Sequence, residues 1–159
     1  MEYIKLIKLL YLADREALLR WGRPITTDRH VSMPKGPVVS QIYNLIAEEP
    51  QPGIASFWQS HIETFAPWSV RITADPSNGE LSRAEESLLD DIFRLHGGKD
   101  RWQLVRETHD LPEWVDPCGS SLPIEYRDIL RAGNKTPSEI AEIEGELETM
   151  AFVDTLAAA

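Results

Sequence analysis

From Tyr3 to Leu12 apolar residues fill nearly every position, with only Lys5 and Lys8 interrupting. A helix that is apolar almost all round is a buried one, and ten residues are too few to cross a bilayer. The pattern runs on through Ala17, Leu18 and Leu19 and predicts a stop at Gly22, with Pro24 just beyond. Gly22 to Lys35 reads as a connector anchored by Ile25, Val31 and Met33 and limited by Pro24 and Pro34. Gly36 and Pro37 suit the N-cap and first position of a second helix, whose Val38, Ile42, Leu45 and Ile46 fall on one face.

Glu48 to Gly53 is a break, and Ile54 to Gln59 a short helical turn with Trp58 half-buried. His61–Phe65 and Trp68–Thr73 alternate apolar and polar residues around Ala66-Pro67, which predicts a small β-hairpin. Two strands are marginal in water, so the pair must lie on the helical core. Ser82-Arg83-Ala84-Glu85 is a capping box ahead of the stripe Leu88, Leu89, Ile92, Phe93 and His96. Asp100 caps the next helix, with Trp102, Val105 and either Thr108 or His109 inward. Asp110–Gly119 reads as an ordered loop, and Ser121 and Pro123 as the start of a helix carrying Ile124, Ile129 and Leu130. Thr136-Pro137-Ser138-Glu139 is a second capping box, followed by Ile140, Ile143, Leu147 and Met150, with Glu142, Glu144, Glu146 and Glu148 on the other side. The fold class is therefore mainly α: one compact helical domain, 1–159, with a small β-hairpin.

Charge changes the picture more than composition does. The net charge is −10, yet residues 1–58 are nearly neutral, with 7 basic and 6 acidic side chains, while residues 59–159 hold 9 and 20. From Pro137 onward there are six acids and no base. Such a field repels a phosphate backbone, which argues against nucleic-acid binding, and attracts a basic protein partner. The single cysteine, Cys118, excludes an internal disulfide and fits a reducing cytoplasm. No signal peptide or membrane span is visible, so the expected location is cytoplasmic.

Candidate chemistry is sparse. His30, His61, His96 and His109 are spread over different elements with no metal-ligand spacing, so neither metal nor cofactor is expected. Lys35-Gly36 is not a phosphate loop, because Pro37 removes an amide that a cradle would use. His109 and Cys118 lie close enough in sequence for a nucleophile pair. The stronger reading places His109 at a helix end, bonding free carbonyls, and Cys118 in a turn. Asp90–Asp91 and Glu85–Glu86 are neighbours on helices and diverge by about 100°, too far to converge as catalytic carboxylates. Asp14 and Arg15, where the buried helix emerges, and Arg29 and His30 in the connector form either a structural ion pair or a recognition site. Trp114 is a core plug or a partner anchor.

Three segments carry a family resemblance. Lys5-Leu6-Ile7-Lys8-Leu9-Leu10-Tyr11-Leu12-Ala13-Asp14, then Gly36-Pro37-Val38, then Leu104–His109 with Pro112-Glu113-Trp114, resemble the Panacea (SocA-like, phage-associated GepA-like) antitoxin domain. The resemblance gives Lys5, Leu9, Leu10, Tyr11, Gly36, Pro37, Val38, Thr108, His109 and Pro112 structural roles as motif positions. It implies a non-enzymatic antitoxin that neutralises a cognate protein toxin by direct binding. An adaptor delivering the toxin to a Clp protease is the alternative, and a small hydrolase or transferase using His109 a weaker one. It also implies a family helix upstream of Met1, and a helix left uncovered there could be met by a second copy, making a homo-oligomer. Pro34 stands where the family's motif before Gly-Pro-Val varies. The expected partner surface comprises Asp14, Arg15, Arg29, Trp114, Glu142, Glu144, Glu146 and Glu148.

Overall fold

The computed structural model describes residues 1–47, 54–77 and 79–157. Helix α1, Tyr3–Trp21, is the axis, and Gly22 ends it in the left-handed conformation (φ 74°), its N–H bonding the Leu18 carbonyl. It is buried on three sides, which is why its sequence is apolar all round. One side, with Leu9, Leu12, Ala13 and Ala17, packs on Leu88 and Ile92 of α4 (Arg83–His96) and Leu104 of α5 (Arg101–His109). A second, with Tyr11 and Leu18, meets Ile129 and Leu130 of α6 (Tyr126–Ala132) and Ile140 of α7 (Pro137–Ala157). On the third, Ile7 meets Val38 and Val39, backed by Ile42 and Ile46 of α2 (Ser40–Ala47). Each fully buried Leu or Ile contributes about 1.5–3 kcal/mol.

The capping boxes form as read. The Ser82 hydroxyl accepts from the Glu85 N–H, and the Glu85 carboxylate accepts from the Ser82 N–H at 2.8 Å. Asp100 accepts from the Trp102 and Gln103 N–H groups, and Thr136 and Glu139 make the same reciprocal pair. The predicted hairpin is β3 (Ile62–Phe65) against β4 (Ser69–Ile72), following α3 (Ile54–His61). It rests on the start of α1, where the Met1 amine donates to the Val70 carbonyl and the Tyr3 N–H to that of Trp68.

Two expectations of secondary structure are corrected. The connector holds strand β1 (His30–Met33), and Gly36-Pro37 open strand β2 (Gly36–Val39), not a helix. They form an antiparallel hairpin turned at Pro34-Lys35, with Met33 opposite Gly36. Proline presets the turn's φ, and Gly36 supplies φ +90°. Ser121 and Pro123 likewise start no helix: Leu122–Ile124 is β5, paired with β1, and α6 begins at Tyr126. In the resulting order β2-β1-β5 both proline-bearing strands are edges, where a missing N–H is tolerated. Trp102, Phe93 and Met150, placed inward by periodicity, are 45%, 55% and 43% exposed. The expected break at Glu48–Gly53 and Asn78 in the turn after β4 lie outside the described residues. Among the described residues no helix is long and apolar enough to cross a membrane.

Candidate functional site

Two buried polar clusters flank α1. In the first, Lys8 lies inside the protein with its Nζ donating to the Pro37 carbonyl at 2.6 Å. Burial without an opposing carboxylate pulls its pKa down to about 7. Gly36 lies directly against it: a Cβ there would be 2.9 Å from both Lys8 Nζ and Thr108 Oγ1, and 3.0 Å from His109 Cδ2. The Thr108 hydroxyl donates to the Leu104 carbonyl at 2.8 Å. The His109 ring stacks on Trp114, centroids 4.2 Å apart, and the Trp114 indole N–H reaches the Met33 carbonyl at 3.1 Å. Burial, and then the Lys8 charge, lower the His109 pKa. Lys5 Nζ donates to the Gly97 carbonyl at the end of α4.

The second cluster is centred on Asp14, which is completely buried. Its Oδ1 accepts from the Ile25 and Thr26 N–H groups at 2.9 and 2.8 Å, and its Oδ2 from the Thr26 hydroxyl. His30 Nε2 lies 3.1 Å from Oδ2, and neither side chain is exposed. Beside it Glu113, also buried, accepts from the Tyr11 hydroxyl at 3.0 Å and from Arg15 Nε at 2.6 Å. Burial, and then Glu113, raise the Tyr11 pKa above the usual tyrosine range. Of the four residues read as an ion pair or a recognition site, Asp14 meets His30, Arg15 pairs with Glu113 instead, and Arg29 is exposed without an ion pair among the described residues. Pro112 is exposed at the turn before Glu113, whereas Leu9 and Val38 are core and Leu10 packs beside Ile7.

Together these contacts tie the three motif segments into one knot: the first turns of α1, the β1–β2 turn and the end of α5 with its following loop. Sequence reasoning missed three members. Lys8 looked like an interruption of an apolar run, and nothing local marks Glu113 as buried. Asp28 caps α2 from the connector, accepting from the Gln41 and Ile42 N–H groups at 2.9 and 3.1 Å; placing the helix start at Gly36-Pro37 rather than Ser40 hid it.

The family model for the SocA-like antitoxins, described as Antitoxin SocA-like, Panacea domain, matches residues 6–115. The chain belongs to that family. The matched residues contain both clusters of this Panacea domain apart from Lys5, and β5, α6 and α7 lie beyond them. No curated protein and no solved structure matches the chain.

The contacts of the Panacea domain hold its segments against one another. His109 lies flat on Trp114, and Cys118 is exposed, with its N–H held by the Asp116 carboxylate at 2.9 Å. Among the described residues no three or more His, Cys, Asp or Glu side chains group as metal ligands. Helix α7 carries a run of accessible carboxylates. Glu144 pairs with Arg127 at 2.9 Å, whereas Glu142, Glu146 and Glu148 are exposed with no ion pair among the described residues.

Proposed function

We propose that this Panacea-domain protein is the antitoxin of a toxin–antitoxin pair and neutralises its toxin by binding it directly. Family membership carries the reading, and the unpaired carboxylates of α7 support a basic toxin as the bound partner. Arg29 and the glutamates of α7 meet the toxin. Asp14, Arg15 and Trp114 act one layer below, holding the connector and the 110–119 loop in shape. Binding occludes the toxin's working surface rather than altering it chemically.

Co-expression with the adjacent reading frame tests this. That frame's product, induced alone, is expected to arrest growth. With this chain present, growth resumes and the two proteins co-purify. Relief with no complex and a falling toxin level would replace occlusion by delivery to a Clp-type protease. A harmless neighbour that never co-purifies would overturn the antitoxin reading.

A further inference from the structure

The last helix carries two different faces. Ile140, Ile143 and Leu147 pack into the core beside α6. At 100° per residue, Glu142, Gly145, Glu146, Thr149, Phe152, Val153 and Leu156 fall on the opposite side, spaced by threes and fours. Phe152, Val153 and Leu156 are 65%, 55% and 61% exposed. The outward stripe thus starts acidic and ends apolar, over a helix whose core contacts among the described residues end at Leu147.

Gly145 sits in the middle of this stripe. A Cβ there would meet nothing within 4 Å, so no internal packing requires a glycine. A glycine inside an exposed helix costs stability relative to alanine, and what it offers in return is close approach of another backbone to the helix.

We infer that this outward face of α7 is the docking surface for a basic amphipathic segment of the partner protein, with Gly145 as the point of closest approach. Phe152, Val153 and Leu156 receive its apolar side chains, and Glu142 and Glu146 meet its lysines or arginines. This rests on the toxin-binding reading and names where that binding happens. Charge selects the occupant. From Pro137 onward the chain holds six acids and no base, so a second copy would set carboxylates against a helix with no cation to answer them. Burial of apolar anchors ringed by opposite charge is how helices are held in grooves.

The test uses the full chain and the purified product of the adjacent reading frame, with affinity measured by calorimetry. F152S/L156S is expected to weaken the complex about 100-fold while leaving the helical spectrum unchanged. G145A is expected to raise Tm by ~2–4 °C, the gain of an exposed alanine, yet weaken binding about tenfold. A structural glycine would give the opposite sign for Tm. Unmodified chain that binds and neutralises while both variants bind equally well overturns this surface and leaves the antitoxin reading standing. Unmodified chain that forms no complex removes both. Sedimentation of the chain alone supplies the remaining outcome: a dimer dispersed by F152S/L156S would give the face to a second copy and overturn the assignment.

Discussion

The Asp14 carboxylate and the His30 imidazole, 16 residues apart in the chain, meet at 3.1 Å with neither side chain exposed. The same carboxylate holds two backbone N–H groups and a hydroxyl of the connector. A buried acceptor serving four donors is a fastener, since removing it strands every donor at once. Asp14→Ala is expected to lower unfolding free energy by about 3–5 kcal/mol, and Asp14→Asn, which keeps an acceptor for the N–H groups, by about 1–3 kcal/mol. Urea titration measures both. Toxin affinity per folded molecule should stay unchanged in Asp14→Asn; a loss of affinity without a loss of stability would make Asp14 a recognition residue.

Gly36 allows a sharper prediction. Its φ of +90° already disfavours a side chain, and an added methyl would push against Lys8, Thr108 and His109 together. Lys8 and Thr108 are buried and bonded to the Pro37 and Leu104 carbonyls, so neither has an easy retreat. Gly36→Ala should cost at least ~2 kcal/mol, visible as a fall in Tm of several degrees. An unchanged Tm would mean that the β1–β2 turn can swing away from α5.

What the sequence made legible followed local rules: caps at Ser82, Asp100 and Thr136, the stop at Gly22, and the alternation around Ala66-Pro67 are read from neighbouring residues. The β2-β1-β5 sheet was hidden because its edge strands carry Pro37 and Pro123, residues that locally favour a helix start and that only pairing with β1 makes tolerable. The polar clusters were half visible. The return of the connector brought Asp14 and His30 within view, whereas Glu113 acts on a partner far off in sequence and Asp28 was hidden because Gly36 reads locally as the cap of the second helix. Periodicity placed Phe93 and Met150 inward, although nothing in the fold covers them fully.

Lys8 makes stability depend on pH with a definite sign. Its pKa falls from 10.5 to about 7 on folding because burial penalises the ammonium. Between those values the unfolded chain holds a proton that the folded chain has released, so raising the pH favours folding. Below about 7 both states are protonated and the full desolvation cost is present. Relative to Lys8→Met, the natural protein should therefore gain stability from pH 7 to pH 9, at a rate on the order of 1 kcal/mol per pH unit. Urea titrations of both proteins at the two pH values test it, and a constant difference between them would mean that Lys8 stays solvated.

The acidic side of α7 should act on association before it acts on final affinity. Glu142, Glu146 and Glu148 are exposed, and charges at an interface rim mainly steer encounter, within a Debye length of about 8–10 Å at moderate salt. Replacing Glu142, Glu144, Glu146 and Glu148 by Gln together should slow association with a basic toxin about tenfold at low salt and flatten its salt dependence. At high salt the natural and substituted proteins should converge, because screening removes what the substitution removed. Stopped-flow association across a salt series distinguishes the outcomes. Equal slopes for the two proteins would take the glutamates out of the encounter, and the loss of the Glu144–Arg127 pair would then register only as a small change in stability.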